Sequence, residues 1–367
     1  YGKRPTYPTN SFLGGFGLSH VGGTLVSIQA ARFEVQGNPL WPLPPDYESL
    51  GPDGQRAARL AVLRNRETPQ DDVASWHLFR TYYLCWEESG WYDGWVEPAP
   101  LHYEWVYNCA AYPRLVMAAH RGSAKSTVFK ELVLRDLVTT PFLEPQGWRY
   151  FSKTLLVLSS DEHVDDATEE IRWQIGNNTR LIEDFGALKP VRGDGQWSLH
   201  KLKLNNRSQV RGASASSRGL RGYRPHRILA DDIEYDPRKG TNVDSLIEDA
   251  QVLIFRVLLP MLRKGCRFNM IGTPIKRRLF LWRLLSAASD LDPRIDPALW
   301  FRKIYPGVLA DGSTFWPAEN PKEYLEQKRR EFGDAWASEF MCCPGHEADK
   351  VLRISPACEY QLLGDAD

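Results

Sequence analysis

Short apolar runs and helix-spaced apolar stripes alternate through the middle of this chain. Leu115-Val116-Met117-Ala118 is the first run. Behind it, Phe129, Leu132, Val133 and Leu137 share one face of a helix predicted from Lys125 to about Leu137, with Thr139-Thr140-Pro141 as its stop. Lys153 to Leu158 reads as a second buried strand. Ser159 and Glu162 then stand at capping-box spacing, ahead of Val164, Ala167, Ile171 and Ile175 at helical intervals. Strand, helix, strand, helix in this rhythm predicts an α/β fold with a mainly parallel central sheet flanked by helices. Ligands of such sheets bind at the carboxyl ends of the strands.

The later pattern extends the same order. Trp197 to Ala215 alternates as strands around an Asn205-Asn206 turn. Arg227 to Glu234 is a short apolar strand that ends in acids. Val243, Leu246, Ile247, Ala250, Leu253, Ile254, Val257 and Leu258 stripe a long helix. Arg267 to Ile271 is a further strand, closed by Gly272-Thr273-Pro274. Pro321 opens a helix through Leu325, Phe332 and Trp336 to Phe340, and Pro344 closes it.

Upstream of Leu115 the pattern is weaker. Gly14-Gly15-Phe16-Gly17 and Gly22-Gly23 break the first segment, and Trp41-Pro42-Leu43-Pro44-Pro45 reads as an extended connector. Residues 1–100 are read as an N-terminal accessory region. Within it, a helix capped by Asp71 or Asp72 puts Trp76, Phe79, Tyr83 and Trp86 near one face as core. In His102-Tyr103-Glu104-Trp105, an aromatic ring either stacks on a nucleotide base or simply packs, and packing is the commoner use.

Composition changes this picture little. With 43% apolar and 25% charged residues among 367, the chain is globular and long enough for one large or two ordinary domains. A net charge of zero means that any sign of a nucleic-acid partner must be local. Six cysteines without metal-binding spacing argue against zinc, and a reducing compartment is the default. No apolar run has the length of a membrane span.

Candidate chemistry gathers at three strand ends. The first apolar run meets Ala119-His120-Arg121-Gly122-Ser123-Ala124-Lys125-Ser126-Thr127. A small-residue loop ending in Lys-Ser-Thr can wrap phosphates with backbone N–H groups. Lys125 would then reach the β and γ phosphates, and Ser126 would ligate Mg²⁺. Ala119 and Ala124 stand where the usual motif has glycines, so an ordinary strand–loop–helix with a surface lysine is the alternative. At the second strand end, Asp231 fits a Mg²⁺ acid, while Asp232 or Glu234 fits the group that activates water. Either of the latter could instead cap the next element. At the third, the Thr273 hydroxyl could sense the γ-phosphate.

No acidic residue lies between Asp194 and Asp231, whereas Lys201, Lys203, Arg207, Arg211, Arg218, Arg221, Arg224 and Arg227 all do. Such a segment suits phosphates, either of DNA or of a nucleotide in a neighbouring subunit.

In this order and spacing the blocks resemble the ATPase half of the large terminase subunit of tailed phages, over roughly residues 100–345. That family's phosphate loop typically reads Ala-Pro-Arg-Gly-His-Ala-Lys-Ser-Thr. Here His120 and Ser123 depart from it, and both alanines are usual. Leu220 to Pro225, and Leu229 to Glu234 with Ala230 inserted, match its Arg-Gly and acidic-strand blocks. Gly272-Thr273-Pro274 matches its coupling motif. Asn178 to Leu181 with Phe185-Gly186, and Trp336 to Pro344, are also similar.

The resemblance implies an ASCE-type P-loop NTPase at residues 101–345 that hydrolyses ATP with Mg²⁺ and translocates double-stranded DNA. It implies a pentameric ring on the portal protein, a small terminase subunit as partner, and a place in the host cytoplasm on the viral procapsid. It favours Arg121 as a γ-phosphate sensor over a structural clamp. It also favours Arg221 as an arginine finger in trans, with Arg224 second. Residues 346–367 would lead toward a nuclease domain, and the chain itself is not expected to cleave DNA. A helicase-like ATPase and a non-catalytic P-loop module are the alternatives.

Overall fold

The computed structural model describes residues 42–344 apart from 93–95, 141, 144–148, 191–196, 218–219, 221, 235–242, 264, 278 and 287–299. The readings made on residues 1–41, Pro141, Arg218, Arg221 and 346–367 therefore lie outside the described residues.

Helices α1 (Pro52–Arg64), α2 (Pro69–Phe79) and α3 (Pro100–Ala111) lead into β1 (Arg114–Ala119) and α4 (Lys125–Thr139). A small antiparallel pair follows, β2 (Phe142–Leu143) with β3 (Arg149–Tyr150). Then come β4 (Lys153–Leu158), α5 (Asp161–Asn177), α6 (Thr179–Phe185), β5 (Trp197–Ser198), β6 (Lys201–Lys203), β7 (Gln209–Ser214) and β8 (Arg227–Asp231). Helix α7 (Val243–Gln251) runs through a π-helical stretch, Val252–Leu258, into α8 (Leu259–Met261). The chain continues with β9 (Arg267–Gly272), α9 (Phe280–Ser286), β10 (Trp300–Tyr305), α10 (Lys322–Phe332) and α11 (Trp336–Glu339).

Eight strands form one sheet in the order β10-β1-β9-β8-β4-β7-β6-β5. Every pairing from β10 to β7 is parallel, and the last two are antiparallel. Strand β9 separates β1 from β8. The parallel strands are buried because helices cover both faces. Side chains alternate accordingly: Leu115, Met117 and Ala119 join one apolar cluster with Trp76, Trp105 and Phe129. Val116 joins the other, with Ile228, Ile254 and Phe280.

Residues of α1 to α3 belong to the same cluster as β1 and α4, with Leu63, Val73 and Val106 fully buried. Buried charge also ties them in. Arg66 pairs with Asp72 and reaches Asp136 on α4 at 2.6 Å, Arg135 reaches Asp72 at 3.2 Å, and Arg227 at the start of β8 lies 3.3 Å from Asp136. On α4, Glu131 accepts from Trp76 Nε1 at 2.8 Å and Tyr92 Oη at 2.5 Å, with Arg80 at 3.4 Å.

Several sequence expectations need correction. Thr68, not Asp71 or Asp72, caps α2: its hydroxyl accepts from Asp71 N while Asp71 accepts from Thr68 N, and Pro69 fits the first turn. Asp72 is buried instead in the ion network. Ser160, not Ser159, caps α5 by accepting from His163 N. The helix expected from Pro321 to Phe340 breaks at Gly333, whose φ of +50° an unbroken helix cannot accommodate. Arg227, counted in the basic segment, is buried against Asp136 and so does not face a phosphate partner. Tyr103 and Trp105 are core residues, Tyr103 edge-on to Trp76 at 5.4 Å. Among the described residues no helix is long and apolar enough to cross a membrane.

Candidate nucleotide site

The carboxyl ends of β1, β8 and β9 lie side by side, because Ala118 pairs with Gly272 and Asp231 with Ile271. The three strand ends singled out in the sequence therefore meet on one edge of the sheet. Side chains and backbone stitch them together. Thr273 N donates to Asp232 Oδ1 at 2.7 Å, and the Thr273 hydroxyl donates to Ala119 O at 3.2 Å. Asp232 N donates to Ile271 O at 3.0 Å.

The loop from His120 to Ala124 leaves β1 and turns into α4. Gly122 has φ +79° and Ala124 φ +58°. A left-handed conformation costs an L-residue about 1–2 kcal/mol, so Ala124 carries strain that glycine would not. Ser123 N donates to His120 O at 3.3 Å, Arg121 N to Glu339 O at 2.8 Å, and His120 N to Tyr305 O at 3.3 Å. The His120 ring and the Ser123 hydroxyl are buried in the loop without hydrogen-bond partners. Burial lowers His120 to about 3, so its ring is neutral.

Lys125, the first residue of α4, has Nζ 3.4 Å from Asp232 Oδ2. Burial works against its charge, but Asp232 and Asp231 outweigh it and raise the pKa. The Ser126 hydroxyl donates to Asp231 Oδ2. Asp231 is raised by burial first and then by the charge of Asp232. Its Oδ1 is buried with no hydrogen-bond partner. An orphaned carboxylate oxygen beside a serine hydroxyl and a lysine fits a hard divalent cation, with Ser126 and Asp231 as its protein donors. Among the described residues no group of three His, Cys, Asp or Glu side chains gathers as a metal cage. Water and phosphate oxygens would have to complete such a coordination shell.

Asp232 and Glu234 part company here. Asp232 has φ +47°, which turns the chain out of β8 and lays its carboxylate between Lys125 and Thr273. Glu234 is buried, and its two oxygens accept from Phe280 N at 2.6 Å and Leu281 N at 2.5 Å. It caps α9, the alternative role kept open for it. Both residues still line one shallow cleft with Thr273 and Pro274. Arg121 is largely exposed, 3.7 Å from Glu339 and 5.9 Å above the Phe332 ring, as the clamp alternative describes.

The described basic residues of the segment are spread over several elements. Lys201 and Lys203 lie on β6 near the far margin of the sheet, and Lys201 pairs directly with Arg211. Arg207, with φ +70°, lies over Phe151 in the turn between β6 and β7. Arg224 is exposed and donates to Pro260 O at 3.1 Å.

Sequence reasoning did not anticipate the outer wall of the loop. His102 Nε2 lies 2.8 Å from Ser123 O, and Asn320 Nδ2 donates to Gly122 O at 3.2 Å. His102 was visible only as part of an aromatic segment, and Asn320 carried no signal. Strand β10, which flanks β1, was also not foreseen; Arg302 and Lys303 interrupt its apolar run.

No protein-family model matches the chain, and no curated protein matches it. Among solved structures, the crystal structure of the HK97 bacteriophage large terminase gives a TM-score of 0.44 at 11% identity, covering 68% of this chain and 51% of that one. A mutant of the Thermus phage P74-26 large terminase ATPase domain gives 0.41 at 17% identity, covering 64% of this chain and 90% of that one. The same domain without the mutation gives 0.39 at 19% identity, with coverages of 62% and 87%. The chain spans about half the length of the HK97 protein. At these identities the similarity concerns the fold alone.

Proposed function

We propose that this chain is the ATP-hydrolysing motor domain of a phage large terminase subunit, coupling hydrolysis to translocation of double-stranded DNA. The meeting of Lys125 with Asp232 and of Ser126 with Asp231, at the carboxyl ends of a parallel sheet, carries the reading. In it, the loop from Ala119 to Thr127 wraps the phosphates and Lys125 exchanges Asp232 for β and γ oxygens. Ser126 and Asp231 hold Mg²⁺, which when bound offsets phosphate charge. Asp232, released by Lys125, orients the attacking water and takes its proton. Glu234 stays on the N-terminus of α9, and so ranks behind Asp232 as the base. Arg121 swings from Glu339 toward the γ-phosphate. Gly272-Thr273-Pro274 couples the site to the sheet, since Thr273 touches both Asp232 and the end of β1.

The assembled machine in this reading is a pentameric ring on the portal protein, with a small terminase subunit as partner, working in the host cytoplasm on the procapsid. Arg221 serves a neighbour as arginine finger, with Arg224 second. Lys201, Lys203, Arg207, Arg211 and Arg218 meet DNA phosphates. Residues 1–100 act as an accessory arm, 101–345 as the ATPase domain and 346–367 as the link to a nuclease domain.

Steady-state ATPase activity, measured with and without double-stranded DNA, tests the proposal. DNA-stimulated turnover that Lys125→Ala abolishes would sustain it. Nucleotide binding without turnover would indicate a non-catalytic P-loop module, and strand separation a helicase-like enzyme.

A further inference from the structure

We infer that His102 is a positioning residue for the phosphate loop: a neutral strut that holds the Ser123 carbonyl from outside and so keeps Ala124 in its left-handed conformation. The inference rests on the proposed nucleotide site and adds a residue from outside the loop to it.

The tautomer of His102 follows from its partners. Ala99 N is 3.1 Å from Nδ1, and a backbone N–H can only donate, so Nδ1 is the acceptor. The ring proton is then on Nε2, which donates to Ser123 O at 2.8 Å. Burial keeps the ring neutral by lowering its pKa to about 3. His102 is 2% exposed and boxed in by Trp105, Phe315 and Trp316, with ring centroids at 5.0, 5.4 and 4.8 Å. It has no room to turn away.

The carbonyl of Ser123 and the N–H of Ala124 belong to one trans peptide unit, so they point in opposite directions. A carbonyl held toward α3 therefore aims the Ala124 N–H away from α3, and in the proposed site that N–H serves the phosphates. Ala124 resists this conformation because its φ is +58°. Where the usual motif uses glycine, this chain uses alanine and supplies a hydrogen bond from outside. Asn320 holds the preceding carbonyl, of Gly122, in the same way.

The test is a double-mutant cycle read by equilibrium binding of ATP·Mg²⁺. His102→Phe keeps a buried ring but removes the donor, and roughly a five- to tenfold loss of affinity is expected from one hydrogen bond. Adding Ala124→Gly removes the strain that the strut opposes, and should restore affinity to within about twofold of the parent. Unchanged affinity in His102→Phe would overturn the inference. So would a loss that Ala124→Gly does not repair, since that is the behaviour of a packing residue. If His102→Phe does not fold, His102→Leu, which also has no donor, is carried through the same cycle.

A second measurement needs no nucleotide. Nitrogen NMR of the unliganded chain should show His102 as the Nε2–H tautomer, uncharged down to about pH 4. The other tautomer, or protonation near the ordinary value, would overturn the strut. If the parent chain binds no nucleotide while this tautomer is found, the functional reading fails and the strut stands.

Discussion

Lys125 Nζ lies 3.4 Å from Asp232 Oδ2, so the lysine proposed to hold phosphates is itself held by the acid proposed to activate water. In this structure each neutralises the other, and in the proposed cycle nucleotide would part them. The lysine needs a new anion to leave, and the acid becomes free only when it does. Binding and activation would thus be linked through one ion pair.

Lys125→Ala should abolish hydrolysis in a chain that still folds. The substitution removes the loop cation that pairs with Asp232 and leaves Asp231 and Asp232 facing each other, so ATP affinity should fall as well. Turnover, nucleotide titration and circular dichroism together check this. Near-normal turnover in a folded variant would remove the basis for the site.

Asp232→Asn and Glu234→Gln should separate catalysis from capping. Asp232→Asn is expected to keep ATP binding and lose at least about 100-fold in kcat, the scale of general-base contributions. Glu234→Gln should mainly lose stability, because an amide has one acceptor oxygen for the two N–H groups of Phe280 and Leu281. The reverse pattern would make Glu234 the base.

Glu234 also sets a pH dependence. Burial raises it from the ordinary 4.5 to about 7, with the two α9 amides only partly opposing the rise. The folded chain thus holds this proton more tightly than the unfolded one. Its contribution to stability is complete below pH 4.5 and is lost as pH rises through about 7, amounting to about 3 kcal/mol at most. Denaturant unfolding at pH 5 and pH 8 should show this slope in the parent and not in Glu234→Gln.

Gly272→Ala should disturb Asp232 without touching it in sequence. A Cβ there would lie 2.9 Å from Asp232 Oδ1 and 2.8 Å from Leu281 Cδ2. Leu281 is buried and Asp232 is held by Thr273 N, so neither yields freely. A loss of about 1–3 kcal/mol is expected, together with reduced turnover. Thermal unfolding and an ATPase assay read the two effects separately.

Asp72→Asn should be among the most destabilising substitutions away from the site. Burial works to raise Asp72, but Arg135, Arg66 and Arg227 outweigh it and hold it well below the usual 3.8. Its contribution to stability is therefore present above pH 3.8 and is lost as pH falls toward the lower folded value. Removing the charge leaves buried guanidinium groups short of a partner, at a cost of about 3–5 kcal/mol. Denaturant unfolding at neutral pH gives the loss, and the variant should show a flatter acid limb.

The sequence by itself determined the parallel sheet core and the strand–loop–helix step at residues 114–139, because both are written locally. Apolar runs such as Leu115 to Ala118 and Leu155 to Leu158 are buried on both faces, so every residue in them must be apolar. Lys125, Ser126 and Asp231 stand at the ends of such runs, where periodicity alone points to a site. Only the tertiary structure decided between Asp232 and Glu234 as the partner of Lys125. The choice turns on a positive φ at Asp232 and on where the start of α9 falls, more than forty residues along the chain from Glu234. The same holds for His102 and Asn320. Each acts through one hydrogen bond to a backbone carbonyl, and a carbonyl looks alike in every residue, so no pattern along the chain can announce it. The ion network of Asp72, Arg135, Asp136 and Arg227 was hidden for the opposite reason. Charged residues read as surface until packing puts opposite charges together out of water.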